Sequence, residues 1–192
     1  MKIHCESIDY EFELPKKPQR VISLVSAATE TLFAMGCGDR VVGVSCYCAR
    51  YVPDLKVPVV GDYLKIDQDL FTELAPDLVM VTTGLQRNLG LALAKQGLPV
   101  YALPLPNSFY GILENTVTIG ALMNEVQEAR RLCLKMETEA AKIRKRHVGP
   151  RPKVYVELWF GKHMRTIGAV SYTHLRAHET LRSISYAVFC LK

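Results

Sequence analysis

Side chains able to grip a flat molecule recur at one kind of place in this sequence, directly after short apolar runs. Tyr47 follows the run Val41 to Ser45, with Tyr51 close behind, and Tyr63 follows Val57 to Val60 across Gly61-Asp62. Thr83 and Gly84 come after Leu78 to Val81; Asn107, Phe109 and Tyr110 come after Val100 to Leu103; Trp159 and Phe160 come after Val154 to Leu158. If these runs are parallel strands, their carboxyl ends share one edge, where the loops of an open α/β sheet hold ligands. Aromatic faces with hydroxyl or amide tips suit a large planar ligand, amide-rimmed or catecholate, that is held without reaction. Any single ring could instead pack beneath its own loop. Recurrence at the same end of successive runs favours the binding reading.

Signatures of catalysis are absent from the pattern. Gly36-Cys37-Gly38 is a G-x-G, but it closes a helical stretch where a dinucleotide loop would open one. There is no Walker A loop, no G-x-S-x-G elbow and no H-E-x-x-H. Ser23 or Ser45 as nucleophile would need a histidine partner, and His4, His147 and His163 form no recognisable pairing. No catalytic residue, cofactor or resident metal is therefore expected. The six cysteines include no C-x-x-C pair. Cys46 and Cys48 would point to the same side of an extended chain, and small buried or half-buried thiols are expected in preference to a metal site or disulfide.

At 192 residues and 49% apolar content, the chain has room for one globular domain and part of another. Its 24 basic and 19 acidic side chains give a charge of +5, spread along the chain except for the cluster Lys142 to His147. Nucleic acid is disfavoured, because phosphate binding needs a concentrated basic face. No run reaches the roughly 18 to 20 apolar residues of a membrane span. The first residues carry Glu6, Asp9, Glu11 and Glu13 without an apolar h-region. The sequence as it stands therefore shows no secretory signal, leaving a cytoplasmic location or an upstream signal as the alternatives.

The elements that must position these residues follow from periodicity. A hairpin is expected at Lys2 to Cys5 and Tyr10 to Leu14, with a connector at Pro15 and Pro18. Val21 to Val25 and the four later runs are short, rich in β-branched residues, and separated by amphipathic stretches. That alternation predicts a Rossmann-like, mostly parallel α/β sheet with flanking helices. Ser26 is placed to cap a helix with Ala28, Leu32 and Met35 on its apolar row and Gly36 at its stop. A second helix is expected through Leu85, Leu89, Ala92 and Leu93 to Gly97. A third, capped by Asn107 or Ser108, would put Leu113, Val117 and Ala121 on one face. Val126, Ala129, Cys133, Met136, Ala140 and Ile143 then repeat at helical spacing from about Glu125 to His147, roughly 35 Å of helix. Its basic end suits the negative pole of the helix dipole, and Gly149-Pro150 stops it.

Beyond Val154 to Leu158 a new sheet begins that little sequence remains to complete. From Val170 the chain reads VSYTHLRAHET, LRS, ISYAVFCLK, which resembles one reading frame of a transposase-type sequencing-library adapter around a variable index. The stretch 170–192 is accordingly expected to be a non-native tail. Removing it lowers the net charge and withdraws weight from His174, His178 and Cys190; the alternative makes His174, His178 and Glu179 a metal cluster.

RVISLVSAATETLFAMG, DRVVGVSCY, PVVGD, LAPDLVMV and GLPVYAL, in this order, resemble class III substrate-binding proteins of ABC importers, the vitamin B12-binding members above all. The resemblance runs from about Pro18 to Gly168. It implies a ligand lobe over 1–123, an inter-lobe helix over 124–148 and the first strand of an incomplete second lobe over 149–169. It also implies a periplasmic or cell-surface monomer that clasps a corrinoid such as cobalamin, or a ferric siderophore or haem, and docks on a permease. Tyr47 stands where the family sets an aromatic against the corrin, Tyr63 where a tryptophan is frequent, and Phe160 near the aromatic of the second lobe. Thr83, Gly84, Phe109, Tyr110 and Trp159 complete the expected ligand set. The permease-docking carboxylate falls on Asp69, where glutamate is usual, with Glu73 as a substitute; its second-lobe counterpart would lie beyond this sequence. A corrinoid-handling cytoplasmic α/β protein or enzyme is the alternative from another class.

Overall fold

A computed structural model describes residues 1–146, 157–160 and 163–166. In chain order the elements are β1 (Lys2–Cys5), β2 (Tyr10–Glu13), β3 (Val21–Ser23), α1 (Ser26–Ala34), β4 (Val41–Ser45), β5 (Val59–Gly61), α2 (Gln68–Leu74), β6 (Leu78–Thr82), α3 (Arg87–Lys95), β7 (Val100–Leu103), α4 (Phe109–Leu122), α5 (Val126–Arg146), β8 (Glu157–Phe160) and β9 (His163–Thr166). Two compact units divide them: Met1–Leu105 with Asn115–Leu132, and Pro106–Glu114 with Cys133–Lys192.

The first unit is built on a five-stranded sheet in the order β5-β4-β3-β6-β7, with every pairing parallel. Helices cover both faces of such a sheet, so its strands carry apolar side chains on both sides. Val21, Ile22, Leu78, Val79, Met80 and Val81 are all fully buried, as that arrangement requires. The chain steps outward from β3 to β4 and β5, then returns to β3's other side for β6 and β7. The order therefore reverses between β3 and β6, which is where the crevice of a doubly wound sheet opens.

The β1–β2 hairpin is antiparallel and leans on the β7 side of the sheet. There the Ala102 amide donates to Cys5 Sγ at 3.3 Å and the Tyr10 hydroxyl donates to the Leu98 carbonyl at 3.1 Å. Gly36 (φ +75°) and Gly97 (φ +79°) end the turns of α1 and α3 in the left-handed region that glycine tolerates. α4 meets α5 at Gly120, where an added Cβ would land on the Ala129 side chain. Arg40, almost fully buried, ties this junction down: it donates to the Met123 carbonyl at 3.0 Å and pairs with Glu125, which also meets Lys17 at 3.1 Å.

In the second unit, Ser108 Oγ accepts from the Gly111 amide at 3.1 Å and so caps α4. The Cys133 thiol donates to the Leu113 carbonyl at 3.7 Å. β8 and β9 form an antiparallel pair.

Several expectations are corrected. Ser26 does not cap α1: Val25 is the N-cap, without a side-chain bond, and Ser26 is the first helical residue. The buried face of α4 is Leu113, Thr116, Ile119 and Leu122, while Val117 is 39% exposed and Ala121 is exposed. Gly120 lies on this buried side, against Ala129. Leu85 lies outside α3 and is 76% exposed. Trp159 and Phe160 sit within β8, not in a loop after it. The Val154 to Val156 start of that expected strand, and everything from 167 onward, lie outside the described residues.

Candidate functional site

The carboxyl ends of β4 and β5 carry the tyrosines picked out by sequence, and the structure brings them together. Leaving β4, the chain folds into a 3-10 turn at Cys48–Arg50. That turn drives Cys48 inward and leaves Cys46 exposed, so the two thiols do not share a side. Cys48 Sγ lies 3.1 Å from Thr29 Oγ1, 3.2 Å from Ser45 Oγ and 3.8 Å from the Ser23 carbonyl. This buried knot fastens the turn to β3 and α1 and fixes where Tyr47 emerges.

Tyr63 is set by a tighter loop. Gly61 has φ +148°, and a side chain there would run into the Lys65 carbonyl, so only glycine fits. Asp62 Oδ1 then accepts from the amides of Leu64 at 2.6 Å and Lys65 at 2.8 Å, an Asx turn that presents Tyr63 between them. Those amides hold the Asp62 carboxyl below its ordinary pKa. The rings of Tyr47 and Tyr63 stack with centroids 4.3 Å apart and planes 10° from parallel, and the Arg50 guanidinium carbon sits 5.4 Å from the Tyr47 centroid. Burial pushes the Tyr63 phenol up, with the neighbouring Ser26 hydroxyl partly offsetting it, so Tyr63 keeps its proton near neutral pH and can donate it.

At the switch point stands Gln86, fully buried and not among the expected site residues. Its side-chain carbonyl accepts from the Thr82 amide at 3.1 Å and its amide donates to the Leu24 carbonyl at 3.1 Å, joining the ends of β6 and β3. Next to it, Thr83 Oγ1 accepts from the Leu105 amide at 3.1 Å, and the exposed Gly84 faces Leu105. A glutamine after a strand has no periodic signature, so only the long-range contact reveals it.

Phe109 and Tyr110 open α4 in the second unit, edge to face with centroids 6.0 Å apart, and Trp159 and Phe160 lie on β8 of the same unit. Asp69 and Glu73 are both exposed on α2, one turn apart on one face. The cap of α2 is Asp67, whose Oδ1 accepts from the Leu70 amide at 3.1 Å. Among the described residues no three His, Cys, Asp or Glu side chains gather as a metal cluster, and no helix is long and apolar enough to cross a membrane.

What assembles is a pair of aromatic faces, a protonated phenol and a rigid strand edge, a geometry for holding. The chain is 29% identical over 154 residues to a cobalamin-binding protein of Halobacterium salinarum, covering 77% of this chain and 42% of that relative. This chain thus spans less than half of that relative's length. The structure is similar to the apo periplasmic heme-binding protein RhuT of Roseiflexus (25% identity, TM-score 0.65, covering 75% of this chain and 56% of that one). It also shares its fold with the periplasmic vitamin B12 binding protein BtuF of Vibrio cholerae (23% identity, TM-score 0.58, covering 68% and 51%). The periplasmic binding protein family model matches residues 21–179, reaching past Ala169. With that match over most of its length and this sheet beneath it, the chain belongs to the periplasmic binding protein family.

Proposed function

We propose that this chain is part of the substrate-binding component of an ABC importer that captures cobalamin or a related corrinoid outside the cytoplasmic membrane and hands it to a permease. The observation that carries the ligand reading is the stacked Tyr47–Tyr63 pair at the strand edge, in a chain whose curated relative in Halobacterium is a cobalamin-binding protein. Flat aromatic surface with one phenolic donor matches a planar macrocycle rimmed by hydrogen-bonding groups. Nothing in this chemistry transforms the ligand; it is a binder. Tyr47 and Tyr63 are the proposed contacts, with Thr83 and Gly84 at the neighbouring strand end of the same unit; Phe109, Tyr110, Trp159 and Phe160 are proposed as ligand contacts on the family resemblance alone. Asp69 and Glu73, exposed together on α2, are the carboxylates proposed to meet permease cations. Haem or a ferric siderophore on the same scaffold is the second reading, favoured by the likeness to RhuT.

Titration with cyanocobalamin, haem and a ferric catecholate, followed by quenching of intrinsic fluorescence, tests the choice. Saturable binding of cyanocobalamin above the other two is expected. Saturation by haem or the siderophore with no response to cyanocobalamin would overturn the corrinoid reading in favour of the second.

A further inference from the structure

Ser26 Oγ is the one buried side-chain oxygen or nitrogen without a hydrogen-bond partner among the described residues, in a residue only 9% exposed. Leaving a buried hydroxyl unpaired costs free energy, so such an atom calls for an explanation. Its position supplies one. Ser26 is the first residue of α1, a helix of nine residues that leaves β3 at the switch point. α1 has no side-chain cap, and its backbone bonding begins with the Thr29 amide donating to the Val25 carbonyl at 2.9 Å. The amides of Ser26, Ala27 and Ala28 therefore have no partner among the described residues. A helix start concentrates partial positive charge on such amides and attracts anions. The Ser26 hydroxyl also lies close enough to the Tyr63 phenol to lower its pKa, although the pair falls short of full hydrogen-bond geometry. Unpaired donors at the start of α1 thus lie next to the phenol of a ring stacked on Tyr47.

We infer that Ser26 Oγ, the free amides of residues 26–28 and the Tyr63 hydroxyl form a seat for an anionic oxygen of the bound molecule, a carboxylate or a phosphodiester. This rests on the proposed binding of a planar ligand and adds which of its groups is read at the crevice. Cobalamin offers a phosphodiester and haem offers propionate carboxylates, so the same seat serves either.

The test uses the whole 192-residue chain, labelled with 15N, as wild type and Ser26→Ala, with cyanocobalamin, haem and inorganic phosphate as probes. The planar ligand that binds should move the amide resonances of residues 26–28 and should bind Ser26→Ala roughly tenfold more weakly. The melting temperature of the free variant should be equal or higher, because no internal bond is lost. Loss with cyanocobalamin assigns a phosphodiester and loss with haem a carboxylate. Equal affinity for both proteins, or a lower melting temperature of the free variant, overturns the seat while leaving the binding reading intact. If neither planar ligand binds the wild type, that reading fails and phosphate decides the seat: movement of the same resonances keeps it, and their stillness ends it.

Discussion

The Tyr47 and Tyr63 rings lie face to face, 10° from parallel, though they leave two different strands. Each ring therefore depends on the other for the surface it offers. Tyr47→Ala and Tyr63→Ala should each weaken binding of the planar ligand, and a double-mutant cycle on the free protein should show coupling of about 0.5–1.5 kcal/mol. Strictly additive losses in urea denaturation would mean that the stack contributes nothing.

At Gly120 the backbone of α4 lies so near α5 that an added Cβ would meet the Ala129 side chain. Alanine is the better helix former, so Gly120→Ala should stabilise if propensity decided the matter. The collision with Ala129 should win and cost about 1–3 kcal/mol in thermal or denaturant unfolding. Combining it with Ala129→Gly should recover part of that loss.

Legibility divides along the same line between local pattern and distant contact. β4 and β7 match the apolar runs read from sequence residue for residue, because β-branched runs between turn residues are local signals. Gly36 and Gly97 were readable as stops for the same reason. α2 was not, since Gln68–Leu74 is too short to show a period. The face of α4 differs from the expected one because Leu113, Ile119 and Leu122 also repeat at helical spacing, so periodicity alone does not choose between the two rows. Tyr47 and Tyr63 were legible as candidates through their places after strands. Their stacking, the role of Gln86 and the uncommitted Ser26 hydroxyl arise from contacts that no spacing rule encodes.

Acid should loosen the α4–α5 junction. Arg40 and then Lys17 hold the Glu125 carboxyl below its ordinary 4.5. A lowered folded-state pKa means that this stabilisation is present above about pH 4.5 and disappears as pH falls through the depressed value. Glu125→Gln should cost about 1–3 kcal/mol at neutral pH, because Arg40 stays buried without its counter-charge. It should also flatten the acid limb of the stability curve. An unchanged acid limb, measured by unfolding between pH 3 and pH 6 on the order of one unit apart, would show that another carboxylate governs it.

Thiol reactivity offers a direct check on the turn after β4. Cys46 is exposed, whereas Cys5, Cys37, Cys48 and Cys133 are buried, and burial raises the thiols of Cys5, Cys37 and Cys133. Of these five cysteines, iodoacetamide should modify Cys46 first in the native protein, as read by peptide mass spectrometry. Equal labelling of Cys46 and Cys48 would mean that the turn is not formed.

The Gln86 bridge makes the two central strand ends behave as a welded hinge plate. Any widening between Leu24 and Thr82 would strand a carbonyl, an amide and a whole carboxamide away from water. Under the proposed binding mode, tolerance for cargoes of differing girth comes from the outlying Tyr47 and Tyr63 loops, so that selectivity can drift in evolution while the spine beneath stays fixed.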